Sequence, residues 1–189
     1  MNVAILSELA GRAEEMDVYP NAMFPPSRYY RFLRLLAQRV RPDVSVELGV
    51  CGGGASLHLA LGHPPGKVIG IDIRNSWPEN VAYVKETCPN FEFWQMDSFQ
   101  ATIRYKEADL PSVDVLFIDT VHTYDRTMLE FNAWRDLLSS DAVVCFDDLY
   151  REGMDRVWEE LPGEKWRKDR LHEGGSPTDG GFGVLYDIP

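Results

Sequence analysis

One stretch restricts the fold of this chain more than any other: residues 44–57, VSVELGVCGGGASL. It opens as a short β-branched and apolar run, the pattern of a buried strand. It then carries Gly49, Gly52, Gly53 and Gly54 in close succession, and from Ala55 to Leu61 it reads as a helix. A glycine turn between a buried strand and a helix lets a ligand approach the backbone, because no Cβ stands in the way. The free N–H groups of the first helical turn then point at that ligand. A tight strand-to-helix turn with no ligand is the plainer reading of the same residues.

The glycine spacing separates two kinds of nucleotide turn. A dinucleotide fingerprint would need glycines at 49, 51 and 54, and position 51 is Cys51. What remains is acid-x-Gly-x-x-x-Gly, carried by Glu47, Gly49 and Gly53. This resembles the first motif of the class I S-adenosylmethionine (SAM) methyltransferases, whose turn holds the methionine and ribose part of the cofactor. The resemblance implies SAM as the cofactor, with Glu47, Gly49 and Gly53 shaping its pocket. Cys51 stands where the common turn has its middle glycine, and it tolerates that space better than a bulky residue.

From residue 44 onward, apolar runs alternate with helical patterns. Strands are predicted over 44–50, 67–73, 91–96, 113–119 and 141–147, with helices between them over 55–61, 79–87, 99–106 and 124–138. Such alternation means βαβ units, right-handed crossovers and a parallel sheet covered on both faces. After a helix at 151–161 the alternation stops. Residues 164–171 and 181–188 have no helix between them and read as an antiparallel pair joined by the glycine-rich stretch 172–180. The expected fold class is α/β: a Rossmann-like, doubly wound sheet of five parallel strands plus a C-terminal antiparallel hairpin strand. Such a reversed end belongs to the methyltransferase sheet and not to a dehydrogenase sheet.

Upstream, residues 1–10 read as a short helix and 17–26 as a proline-punctuated loop. Ser27 then caps a helix with Tyr30, Leu33, Leu36, Ala37 and Val40 at helical spacing. Pro42 ends it. Arg28, Arg31, Arg34 and Arg39 of that helix read as a solvated face. A chain of 189 residues can bury one sizeable core but is short for two. One domain over 1–189 is expected, made of a helical extension (1–43) and a SAM-binding core (44–189).

Composition narrows the partners. A formal net charge of -11 argues against a nucleic-acid backbone and against an anionic membrane surface. No apolar run approaches the roughly 20 residues of a membrane span. Cys51, Cys88 and Cys145 are odd in number and widely spaced. They read as reduced, small buried hydrophobes, not as a disulfide frame or a zinc site. Glu8, Glu14 and Glu15 lie near the start with no basic-then-apolar leader, so a cytoplasmic protein is expected.

In an open α/β sheet, ligands sit outside the carboxyl ends of the strands, and here nearly every strand ends in an acid. Glu47 lies on the first strand. Asp72 ends the second, about 20 residues past the turn, where a carboxylate can accept both ribose hydroxyls. Asp97 ends the third, within reach of an adenine amino group, although a helix N-cap is its alternative role. Asp119 ends the fourth, and Asp147 and Asp148 end the fifth. Carboxylates converging on one rim repel each other unless a cation or donor groups absorb the charge. Asp119, Asp147 and Asp148 would suit a hard cation such as Mg²⁺. Their alternative roles are a helix cap for Asp148 and a loop hydrogen bond for Asp119.

The segments FIDTVHTY (117–124) and VVCFDD (143–148) resemble the metal-dependent O-methyltransferases, a group that includes the catechol, caffeoyl-CoA and macrocin-type enzymes. The resemblance implies Asp119, Asp147 and Asp148 as ligands of Mg²⁺ or a similar cation. It implies Asp72 on the ribose and a small hydroxylated molecule as methyl acceptor. In catechol-type members a lysine follows the first metal aspartate by three residues and acts as base. His122 holds that place here, and an imidazole can accept a hydroxyl proton near neutrality. A polar loop residue bonded to a neighbouring aspartate is its alternative. In this family the N-terminal region often forms an acceptor lid or a dimer contact, so a homodimer is among the expectations. Three rivals stand beside this reading: a metal-free methyltransferase, a SAM-binding protein without catalysis, and a nicotinamide oxidoreductase.

Overall fold

The computed structural model describes residues 1–16, 28–168 and 180–189. Two helices, α1 (Val3–Glu15) and α2 (Arg28–Val40), precede the sheet. Then follow β1 (Val44–Leu48), α3 (Gly54–Gly62), β2 (Lys67–Asp72), α4 (Pro78–Thr87), β3 (Phe91–Gln95), α5 (Ser98–Glu107), β4 (Val113–Ile118), α6 (Tyr124–Arg135) and β5 (Leu138–Phe146). The chain ends with α7 (Met154–Glu160), β6 (Glu164–Lys168) and β7 (Phe182–Tyr186). One sheet carries the strands in the order β3-β2-β1-β4-β5-β7-β6. The first five are parallel, β7 runs antiparallel to β5, and β6 pairs antiparallel with β7. The predicted fold class is therefore observed.

The apolar runs form central strands because both of their faces are covered. All five residues of β1 are buried. Successive β4 residues alternate between two cores: Val115 and Phe117 pack with α1 to α4, Leu116 and Ile118 with α5 to α7. This is the two-residue period of a strand inserted between two helical layers. Among the described residues no helix is long and apolar enough to cross a membrane.

Several expectations need correction. The first helix is longer than predicted, capped by Asn2 and running to Glu15. The fifth strand starts three residues early, at Leu138, where the register with β4 shifts between Val113 and Val115. Arg31 is not on a solvated face. It is 4% exposed, and its Nη1 donates to the Met16 carbonyl at 3.0 Å, tying α2 to the end of α1. Cys88 and Cys145 are buried as expected, but Cys51 is exposed. The Ser27 cap, the 17–26 loop and most of the 172–180 connection lie outside the described residues.

Candidate active site

The site begins with strand register. Beyond the regular ladder, Gly49 N–H donates to Ile71 O, Asp119 N–H to Leu48 O, Met96 N–H to Asp72 O and Asp147 N–H to Ile118 O. These bonds carry the sheet pairing past its regular end, so the acids there are held side by side. Gly49 sits at φ +90° in the glycine-favouring region, and a Cβ on it would lie 2.0 Å from the Asp119 carbonyl oxygen. The first glycine of the motif is therefore required by the close passage of β1 against the end of β4. Gly53, also left-handed at φ +82°, is the N-cap of α3.

A cavity of about 440 Å³ opens at this edge, within the usual range of small-molecule sites. Gly49 and Cys51 line one side, Asp72 and Asp97 the strand ends, and Asp119 the inner end. Ile73, Met96 and Val121 supply apolar wall. Asp72 is fixed by two backbone donors, Cys51 N–H to Oδ2 and Arg74 N–H to Oδ1, each at 3.0 Å. Asp97 does cap α5, accepting from Phe99 N–H at 2.9 Å, and it lines the cavity as well. Burial raises its carboxyl pKa, but the Phe99 N–H and the Arg126 guanidinium outweigh that and hold it below its ordinary value.

Glu47 stands apart. It is 1% exposed, receives the Ser56 hydroxyl hydrogen bond and does not line the cavity. Burial pushes its pKa from 4.5 to about 8, with Ser56 opposing and Asp72 adding to the rise. It braces the turn from behind. Trp77 is 55% exposed at the start of α4 and is not among the lining residues.

The second cluster lies behind Asp119. His122 Nε2 is 3.5 Å from Asp119 Oδ1 and 3.5 Å from Asp148 Oδ2. The Asp147 carbonyl is within hydrogen-bond reach of the same ring. The structure thus brings together the predicted residues of β4 and β5. Burial raises the Asp119 pKa well above the carboxylate range, reinforced by Asp147, Glu47 and Asp148. Burial lowers that of His122, against the pull of Asp148 and Asp147. Of this cluster only Asp119 reaches the cavity.

The three aspartates do not form an open ligand set. Asp148 Oδ1 accepts Gly180 N–H at 3.0 Å, and Oδ2 accepts Arg151 Nε at 2.6 Å. Among the described residues, no group of three or more His, Cys, Asp or Glu side chains is placed to hold a metal ion. Backbone strain collects here too. Cys51, His122 and Asp148 have φ of 46°, 47° and 53°, a region that non-glycine residues seldom occupy.

Sequence reasoning missed the wall opposite the glycine turn. Arg126 lines the cavity; its Nε donates to Glu130 and its Nη2 donates to Asp97 and Ser98. Glu130 is fully buried and also accepts the Ser98 and Thr120 hydroxyls. The available signal was opposite charge at i and i+4 on α6. Tyr30 of α2 lies against the glycine turn, its ring 2.5 Å from where a Gly54 Cβ would be.

Comparison with known proteins places this geometry. The family described as "Methyltransferase domain" matches residues 46–149. No curated protein matches the chain. Among solved structures, an O-methyltransferase from Bacillus cereus in complex with SAH is similar at a TM-score of 0.72 and 17% identity, covering 98% of this chain and 92% of that one. The O-methyltransferase TomG from Streptomyces achromogenes, involved in tomaymycin synthesis and solved with SAM, gives 0.70 and 20%, covering 98% and 91%. A methyltransferase from Geobacter sulfurreducens gives 0.64 and 17%, covering 99% and 88%.

Proposed function

The chain belongs to the methyltransferase-domain family, and on that premise we propose that it is a SAM-dependent O-methyltransferase acting on a small hydroxylated molecule. The observation that carries the reading is the cavity of about 440 Å³ at the strand ends, lined by the glycine turn and by Asp72, Asp97 and Asp119. The similar O-methyltransferase structures in complex with SAH and with SAM support the choice of cofactor.

The residues fit SAM. Asp72, held by two N–H donors, faces the cavity where a ribose would offer its hydroxyls. Asp97 is fixed on the same wall by Arg126. Ile73, Met96 and Val121 give a flat base an apolar seat. Bound there, SAM supplies an electrophilic methyl group; transfer breaks its carbon–sulfur bond, forms the oxygen–carbon bond and leaves the hydroxyl proton to be removed. That proton passes by way of Asp119, which lines the cavity, to His122 Nε2, 3.5 Å away. Burial keeps the imidazole neutral beforehand, and Asp119 and Asp148, each 3.5 Å away, stabilise the cation formed by proton uptake. The side chains contribute mainly by position, since methyl transfer needs little covalent help.

The divalent cation implied by the sequence resemblance does not fit the same residues as they stand, because both oxygens of Asp148 are engaged by Gly180 and Arg151. Isothermal titration calorimetry with SAM is the test. One-to-one binding in the micromolar range is expected, and no heat at high micromolar SAM removes the proposal.

A further inference from the structure

The charge balance behind Asp119 differs from what a metal centre needs. Asp148 lies just past β5 and opens a turn in which Arg151 N–H donates to the Asp148 carbonyl at 3.0 Å. That turn carries the Arg151 side chain back onto Asp148 Oδ2 at 2.6 Å. Leu149 N–H and Tyr150 N–H donate to the carbonyls of Gly181 and Gly180, which fastens the turn to the start of β7. Gly180 N–H returns to Asp148 Oδ1. Asp148 is only 6% exposed, so its charge must be met from within the chain. Between Asp148 and Asp119, where a shared cation would sit, stands His122 Nε2 at equal distance from both.

We propose that Arg151 supplies in this chain the positive charge that a divalent cation would bring, so that the centre works without an added metal. The inference rests on the methyltransferase reading. In it Arg151 is a positioning residue: it neutralises Asp148 and thereby holds the carboxylate in a fixed place beside His122. The chain supplies the charge on a turn built for it, and a cation from solution has one engaged and two crowded carboxylates to compete for.

The test measures Mn²⁺ binding to the full chain by loss of the free-ion electron paramagnetic resonance signal, with and without SAM. The parent protein is expected to bind Mn²⁺ only weakly, with a Kd on the order of millimolar. R151A and R151Q, which remove the guanidinium charge, are expected to bind Mn²⁺ about fivefold more tightly than the parent, the upper scale of one partly exposed charge pair. R151K is expected to behave as the parent. The double variant D148N/R151A is expected to lose the gain. R151Q keeps most of the side-chain stem and serves if R151A does not fold. Stoichiometric, micromolar Mn²⁺ binding by the parent overturns the inference, and so does a folded R151Q with no gain over the parent. SAM calorimetry on the same samples separates the two claims. SAM binding with the wrong Mn²⁺ result sinks this inference alone, and absent SAM binding sinks the function it rests on.

Discussion

Glu130→Ala tests whether one buried carboxylate holds the cavity wall in place. Glu130 accepts the Ser98 hydroxyl at 2.8 Å, the Thr120 hydroxyl at 2.7 Å and Arg126 Nε at 2.8 Å, and it is fully buried. Truncation strips the two hydroxyls of their acceptor, about 1 kcal/mol each. The ion pair adds about 1 kcal/mol rather than the larger figure for a fully buried pair. The reason is that Arg126 is 31% exposed and keeps its bond to Asp97. The space left by the carboxylate adds about 1 kcal/mol more. A loss of about 4 kcal/mol lowers Tm by about 10 °C for a chain of this size. Glu130→Gln keeps the volume and one acceptor oxygen, and it should lose about half as much. Urea unfolding gives the free energies, and calorimetry with SAM on the same variants gives the functional arm. Arg126 and Asp97 line the cavity, so the alanine variant should bind SAM about tenfold more weakly. The reasoning is refuted if Glu130→Ala stays within about 1 kcal/mol of the parent, or if alanine and glutamine cost the same.

Three further outcomes are expected. Glu47 has a folded-state pKa of about 8 against 4.5 when free. The unfolded chain therefore ionises first, stability declines as pH rises from 4.5 to about 8, and above that it is level. Glu47→Gln should flatten that decline in Tm measured across the window. Asp119→Asn removes a carboxylate crowded by Asp147, Glu47 and Asp148; it should raise Tm at neutral pH while abolishing methyl transfer from labelled SAM. Cys51 is exposed and lines the cavity, whereas Cys88 and Cys145 are buried. Iodoacetamide should label Cys51 alone in the native chain, and SAM should slow that labelling, as peptide mass spectrometry would read.

The fold was legible because parallel central strands leave near-continuous apolar runs, as in β1 and β4. The start of β5 was not, because Ser139 and Ser140 are polar and at most partly buried. The acids at the strand ends were found by their place after each apolar run. What they touch was not found, since it depends on contacts far apart in the chain. Asp148 meets Gly180 thirty-two residues later, and Arg126 meets Asp97 from the other side of β4. Cys51 looked like any small residue in the sequence; its left-handed backbone and exposure follow from the turn it occupies. Arg31 read as surface because its partner, the Met16 carbonyl, is a backbone group no side-chain pattern reveals.

The order of strands also bears on biosynthesis. β7 lies between β5 and β6, and among the described residues β6 pairs with β7 alone. A nascent chain emerging from the ribosome can assemble β1 to β5 and still hold β6 without a neighbour. β7 follows β6 in the chain yet must insert between it and β5, and the glycines leading into it carry the bonds that fasten the Asp148 turn. A chain cut short of residue 180 keeps the residues that line the cavity but lacks β7 and the Gly180 and Gly181 bonds that fasten the Asp148 turn.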